Sequence, residues 1–252
     1  MKLSKKVKTI FSCFFGSEQI KYESRFIVIS ELAKRFSLRT YNRHLSWFTD
    51  KEYLDVWSKF VEGDNDVHER RFTLYYLAKS IREVDGDTAE CGVYRGSGSY
   101  LILKANEGES KLHHVFDSFE GLSEPDSMDK VKFERTFSWS KHDLSASEDV
   151  VKSNLKDFKN LRCYKGWIPA RFDEVKDKKF SFVHIDVDLY KPTLNSIEFF
   201  YDRMSEGGII VCDDYGQESC PGAKRAMDEF ILDKKENIIH LTTGQGVVIK
   251  QG

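Results

Sequence analysis

The chain has 252 residues, 40% hydrophobic and 13% aromatic, enough for one large domain or a domain with a small appendage. Its formal net charge of −2 provides no overall basic field of the kind nucleic-acid binding needs. Five cysteines, scattered and without a CxxC pair, speak against a disulfide framework and a zinc site and suit a reducing, cytoplasmic compartment.

The first fifteen residues place Lys2, Lys5, Lys6 and Lys8 ahead of Ile10, Phe11, Phe14 and Phe15. That order resembles a signal peptide, but the apolar part is too short, and Glu18, Lys21 and Glu23 follow at once. No apolar run reaches 18 residues, so no membrane span is expected. The segment suits an amphipathic surface or oligomer-contact helix and, better, a partly ordered tail. Residues 20–84 read as mostly helical. Ile27, Leu32 and Phe36 fall at helical spacing, the segment 43–59 carries Leu45, Trp47, Tyr53, Leu54 and Trp57, and 66–84 aligns Phe72, Leu74, Tyr75, Ala78 and Ile81. Residues 1–84 are therefore taken as a helical extension that covers the sheet or makes a subunit contact, and 85–252 as the main domain.

From Asp87 the rhythm becomes strand, turn, helix. Thr88–Tyr94 is a short strand that opens into Arg95-Gly96-Ser97-Gly98-Ser99 and a helix through Leu101 and Leu103. A second strand, Leu112–Asp117, follows. Residues 123–145 are polar and irregular, as a functional lid would be. A helix over 149–157 precedes a third strand, Leu161–Tyr164, which ends in Lys165-Gly166-Trp167. The chain closes with a hairpin of Ile238–Thr242 and Val247–Lys250.

The segment 180–216 holds the densest signal. Phe180–Ile185 runs into Asp186 and Asp188, and Gly208–Cys212 runs into Asp213 and Asp214. Continuous β-branched runs read as buried parallel strands. The intervening helix, read over 191–204 with Leu194, Ile197, Phe200, Tyr201 and Met204 on one face, makes the strands parallel. Both acidic pairs then lie at carboxyl ends, where open α/β sheets bind ligands. Four carboxylates at one edge repel unless protonated or neutralised, and a hard cation such as Mg2+ suits them. Five parallel strands and a terminal antiparallel hairpin, with a helical lead-in, give the Rossmann-like class I methyltransferase sheet.

The turn at Gly92, Gly96 and Gly98 lets backbone approach a ligand, but its spacing is not GxGxxG. Glu90 ends the first strand and Asp117 the second, where an acid can accept both hydroxyls of a ribose. A ribose-binding acid without a pyrophosphate turn points to S-adenosylmethionine.

Four stretches in order, Ala89–Gly96, Phe116–Leu122, Ile185–Tyr190 and Val211–Gly216, resemble the macrocin O-methyltransferase (TylF-type) family over about residues 85–232. The resemblance implies transfer of a methyl group from S-adenosylmethionine to a sugar hydroxyl of a glycosylated metabolite or surface-glycan precursor. It implies Mg2+ on Asp186, Asp213 and Asp214, and Asp188 as general base. The cofactor side then comprises Glu90, Gly92, Tyr94, Arg95, Gly96, Ser99, Asp117, Ser118, Phe119, Gly166, Trp167 and Asp186. The family's usual glycine between the two acids of the fourth strand is Val187 here, a departure that bears on the local backbone path. Members are often dimeric or larger, so a homo-oligomer is expected.

His184 reads as a packed core histidine, Lys191 as a helix start ahead of a substrate contact, Cys212 as a small buried filler, and Trp167 equally as a neighbour of the adenine or a helix-packing residue. Tyr190 and Tyr215 stand equally well in the core or on a sugar pocket. Rival readings are a metal-dependent phosphoester hydrolase, which leaves Glu90 and Asp117 unexplained, a non-catalytic scaffold, which needs no such set of acids, and a nicotinamide dehydrogenase, which the glycine spacing disfavours.

Overall fold

The computed structural model describes residues 2–38, 46–60, 68–132 and 137–252. It divides into two compact units, Met1–Asp55 and Val56–Gly252. In the smaller unit, helix α1 (Lys2–Ser12) packs on α2 (Glu18–Ala33). Residues 2–12 are thus helical where the sequence favours a tail. The second helix accounts for it: Ser17 caps α2 by accepting the Ile20 N–H at 3.4 Å, and Arg25 Nε donates back to Cys13 O at 3.0 Å. Two short helices follow, α3 (Ser46–Thr49) and α4 (Lys51–Trp57). The helical expectations for 39–45 and 61–67 lie outside the described residues.

The larger unit carries α5 (His68–Ser80) and then the sheet. Its elements are β1 (Asp87–Cys91), α6 (Ser97–Ala105), β2 (His113–Asp117), α7 (Glu148–Asn154), β3 (Leu161–Lys165), β4 (Phe180–Ile185), α8 (Tyr190–Tyr201), β5 (Met204–Cys212), α9 (Pro221–Ile231), β6 (Ile239–His240) and β7 (Gly246–Ile249). Strand order is β3-β2-β1-β4-β5-β7-β6. The first five strands are parallel, while β7 runs antiparallel to β5 and β6 to β7. The chain steps outward from β1 to β3 and then crosses back to β4. The carboxyl ends of β1 and β4 are therefore the topological switch point, where a crevice opens.

β5 begins at Met204, which the sequence reading assigns to the preceding helix face. Ser205 and Glu206 interrupt the apolar pattern, Gly207 has φ +78°, and the β4–β5 register shifts between Phe180 and Phe182. The strand thus starts irregularly, and its apolar run shows only from Gly208.

Phe116, Phe172, Phe180 and Phe200 meet edge to face under the sheet, with Phe180 and Phe200 centroids 4.9 Å apart. Each is fully or almost fully buried, which stabilises by about 1.5–3 kcal/mol per ring. This layer packs β2 and β4 against α8 beneath the acids at their ends. Among the described residues no helix is long and apolar enough to cross a membrane.

Candidate active site

The β1–α6 turn and the end of β4 touch. A Cβ on Gly92 would lie 1.9 Å from Asp186 O, and Gly92 has φ +79°, so only glycine fits there. Gly96, at φ +97°, is the N-cap of α6. Asp117, at the end of β2, is held by two backbone donors: Val93 N–H reaches Oδ2 at 2.7 Å and Phe119 N–H reaches Oδ1 at 2.6 Å. Burial raises its pKa, and these donors, with Tyr94, pull part of the shift back. Each carboxylate oxygen keeps a second acceptor site, so Asp117 can still take two hydroxyls.

Asp188 follows β4 in the left-handed region, φ +59°, within a tight turn closed by Leu189 N–H to Val187 O at 2.5 Å. Val187 packs in the core and does not have a positive φ, so the position that lacks the family's glycine needs no special backbone. Asp188 N–H donates to Asp214 Oδ2 at 3.0 Å, and the Cys220 thiol donates to Asp188 Oδ1 at 3.4 Å. Burial, then the Asp186 carboxylate, pushes Asp188 up to about 7. Asp214 is raised well above the usual range by burial and by Asp188 and Asp186. Asp186, still 24% exposed, is raised by burial and Asp213.

Asp213 goes the other way. Burial opposes its charge, but the Arg70 guanidinium and His184 overcome this and hold the carboxyl far below the usual range. Arg70 Nη2 donates to Asp213 Oδ2 and stands 3.5 Å from Asp214 Oδ1. Gln245 Nε2 donates to Asp213 Oδ1 at 2.6 Å, and the Gln217 amide oxygen, in the orientation that satisfies both groups, accepts from Arg70. Arg71 Nη1 lies 3.7 Å from Asp186.

Glu90 is not on the cavity wall. It is buried beneath α6, where it accepts from Ser99 Oγ and lies 2.7 Å from His184 Nδ1. His184 Nε2 is 3.2 Å from Asp213 Oδ1. Burial works against the imidazolium, but the Asp213 and Glu90 carboxylates on either side raise it to about 10. On the far side of Ser99, His113 Nε2 lies 2.9 Å from Ser99 Oγ and Nδ1 lies 2.8 Å from Thr88 Oγ1, and burial lowers this imidazole to about 3.

A cavity of about 590 Å3 opens over these strand ends. Gly92, Tyr94, Asp117, Ser118, Trp167, Asp186, Asp188, Asp213 and Asp214 line it. Of the remaining cofactor-side residues, Ser99 is tied to Glu90, Arg95 lies over the Tyr94 ring at 5.2 Å, and Phe119 is buried with φ +58°. Gly96 abuts Leu155, and Gly166 N–H donates to Asp117 O at 2.9 Å. Leu122 and, from the irregular segment, Ser123, Trp139 and Leu144 also line the cavity. Tyr190 bonds Glu229 and Tyr215 bonds Asp228, both away from the cavity wall.

Among the described residues the metal-capable donors fall into two groups, His184 with Asp186 and Asp213, and Asp188 with Asp214 and Cys220. Asp214 thus stands with Asp188 rather than with Asp186 and Asp213, and Arg70 reaches an acid of each group. The sequence reading missed Arg70, Arg71, Gln217 and Gln245. One signal was available for Arg71: it shares helical spacing with Leu74, Tyr75 and Ala78, and all four are buried.

Strand order, glycine turn and acid-lined crevice define a class I methyltransferase-type α/β domain. The Macrocin-O-methyltransferase (TylF) family matches residues 72–242, and the chain belongs to that family. It is 30% identical over 157 residues to demethyldecarbamoylnovobiocin O-methyltransferase of Streptomyces niveus, covering 58% of each chain. It is 28% identical over 166 residues to 8-demethyl-8-(2,3-dimethoxy-alpha-L-rhamnosyl)-tetracenomycin-C 4'-O-methyltransferase of Streptomyces olivaceus, covering 62% of this chain and 63% of that one. The match therefore spans about six-tenths of these relatives' lengths. The solved O-methyltransferase NovP has the same fold, with TM-score 0.60 and 24% identity over 73% of this chain and 81% of that one. CalS11, a calicheamicin methyltransferase, gives TM-score 0.63 and 14% identity over 93% and 94%.

Proposed function

We propose that the chain transfers a methyl group from S-adenosylmethionine to a sugar hydroxyl, with a divalent cation, Mg2+, in the acid cluster. The carrying observation is that Asp117, at the end of β2, and four acids, at the ends of β4 and β5, line one cavity. The relatives whose names specify sugar-bearing acceptors support the substrate class.

The donor set fits a hard cation. Asp186, Asp213 and Asp214 offer carboxylate oxygens at one strand edge, where burial first and then the neighbouring carboxylates raise Asp186 and Asp214. Asp186 and Asp213, with Asp214 reaching in from the neighbouring group, would hold such a cation, which would supply Lewis-acid lowering of the acceptor hydroxyl's pKa. Asp117 accepts the cofactor's ribose hydroxyls while Val93 and Phe119 fix its carboxylate. Asp188 removes the acceptor proton. Its pKa near 7 suits a base that must be ionised yet basic at neutral pH. As the hydroxyl oxygen bonds to the methyl carbon, the sulfur–carbon bond breaks and the proton rests on Asp188. The walls contributed by Leu122, Trp139 and Trp167 exclude water and align the acceptor. We place the transfer unit at residues 85–252, with Arg70 and Arg71 added from α5.

Calorimetric titration of S-adenosylhomocysteine tests the cofactor half. Binding to wild type that Asp117→Ala loses and Asp213→Ala keeps is the expected result. Methyl transfer to sugar acceptors that EDTA stops and Mg2+ restores tests the metal half. A wild type that does not bind S-adenosylhomocysteine overturns the proposal.

A further inference from the structure

The helix α1 sorts its residues into two arcs. Val7, Ile10, Phe11 and Phe14 recur at i, i+3, i+4 and i+7, and Phe15 joins them because its N–H still reaches Phe11 O at 3.2 Å. At 3.6 residues per turn this apolar arc spans roughly 140°. Lys6 and Lys8 flank it, and positions 2 and 5, also lysines, fall on the opposite arc. All five apolar side chains are 55% to 67% exposed. The Phe11 and Phe15 rings stack with centroids 4.3 Å apart, so the face is continuous. A contiguous exposed apolar face marks a contact site rather than ordinary surface.

Charge decides what covers it. Residues 1–38 hold eight Lys and Arg against three Glu, a net of +5, while the other 214 residues hold 31 against 38, a net of −7. A twofold contact between two copies of this segment would set +5 against +5. An anionic lipid surface suits the apolar arc and its edges, since the headgroup–acyl boundary takes the phenylalanines and the phosphates take Lys6 and Lys8. Lysines at the edges of the apolar arc are placed to reach headgroups while their stems lie on the apolar surface. We propose that α1 lies in the plane of a membrane interface rich in anionic phospholipid and anchors the chain there peripherally. The inference is independent of methyl transfer.

Sedimentation of the full chain with vesicles tests it. Vesicles of phosphatidylcholine with phosphatidylglycerol should bind the wild type, and phosphatidylcholine alone should bind at least ~10-fold more weakly. Raising salt should weaken the anionic binding. Lys6→Glu/Lys8→Glu, which leaves the apolar arc intact, and Phe11→Ser/Phe14→Ser should each lower it ~10-fold or more. Both variants should keep the wild-type melting temperature and the wild-type mass by light scattering. Equal binding to both vesicle types, or binding untouched by both variants, overturns the proposal. So does a wild type that ignores vesicles and is an oligomer that Phe11→Ser/Phe14→Ser turns into a monomer, because a second copy then covers the face.

Discussion

Glu90 and His184 stand opposite one another in register across β1 and β4, with Oε1 2.7 Å from Nδ1 in the core. This pair joins the two halves of the crevice. Glu90 accepts from Ser99 in the first turn of α6, and His184 reaches Asp213 at the end of β5. A buried imidazolium between two carboxylates fixes the relative positions of β1, β4 and β5 beneath the cavity floor.

The pair makes stability depend on pH. Burial opposes the His184 charge, yet Asp213 and Glu90 raise its pKa to about 10, above the unfolded value of 6.5. The stabilisation is therefore complete below pH 6.5 and is lost as pH rises through about 10, at about 1.4 kcal/mol for each pH step of one between those limits. Urea midpoints measured from about pH 6 to about pH 10 should fall across that window. Glu90→Gln should flatten the slope and cost about 3–5 kcal/mol at about pH 6, as removal of one partner of a buried pair does.

Cation binding should release protons. Without a cation, Asp188 sits near 7 and is about half-protonated in neutral solution, and burial with the Asp188 and Asp186 carboxylates raises Asp214 as well. A cation favours their ionised forms. Calorimetry of Mg2+ binding in buffers of different ionisation enthalpy should show proton release at about pH 6.5 that shrinks by about pH 8.5, with apparent affinity rising over the same range. Uptake, or no exchange on the acid side of that range, would contradict protonated acids in the cluster.

Asp188→Asn keeps the shape of the turn and removes the base. Methyl transfer should fall by about 10²–10⁴-fold, the usual contribution of a positioned general base. Binding of S-adenosylhomocysteine should stay within a few-fold of wild type, because Asp117 is untouched. A variant that keeps its turnover would remove Asp188 from the chemistry. In wild type, turnover should also drop on the acid side as Asp188 takes up its proton.

The sheet was legible because buried parallel strands are continuous apolar runs, and the acids closing β4 and β5 stand directly after such runs. The partners of those acids were not legible. Arg70 lies 143 residues before Asp213, and no spacing rule links α5 to the end of β5. Glu90 looked like a ligand-facing strand end. Only the β1–β4 register turns it toward His184, which occupies its carboxylate. His184 shares Asp186's strand face in any reading, but its two acidic neighbours come from other strands. The start of β5 is hidden in the sequence because Ser205 and Glu206 break its apolar pattern.

Arg70 and a bound cation should compete for the same acids. The guanidinium donates to Asp213 and stands 3.5 Å from Asp214, so it supplies in the metal-free chain the positive charge the cluster needs. Arg70→Met should leave those carboxylates uncompensated and destabilise the metal-free protein by about 3–5 kcal/mol. The same change should enlarge the rise in melting temperature that saturating Mg2+ produces, since a ligand stabilises in proportion to the logarithm of its concentration over its dissociation constant. Differential scanning calorimetry of wild type and Arg70→Met, each with EDTA and with Mg2+, measures both quantities. An Mg2+ increment in the variant no larger than in wild type would mean that Arg70 and the cation do not share Asp213 and Asp214.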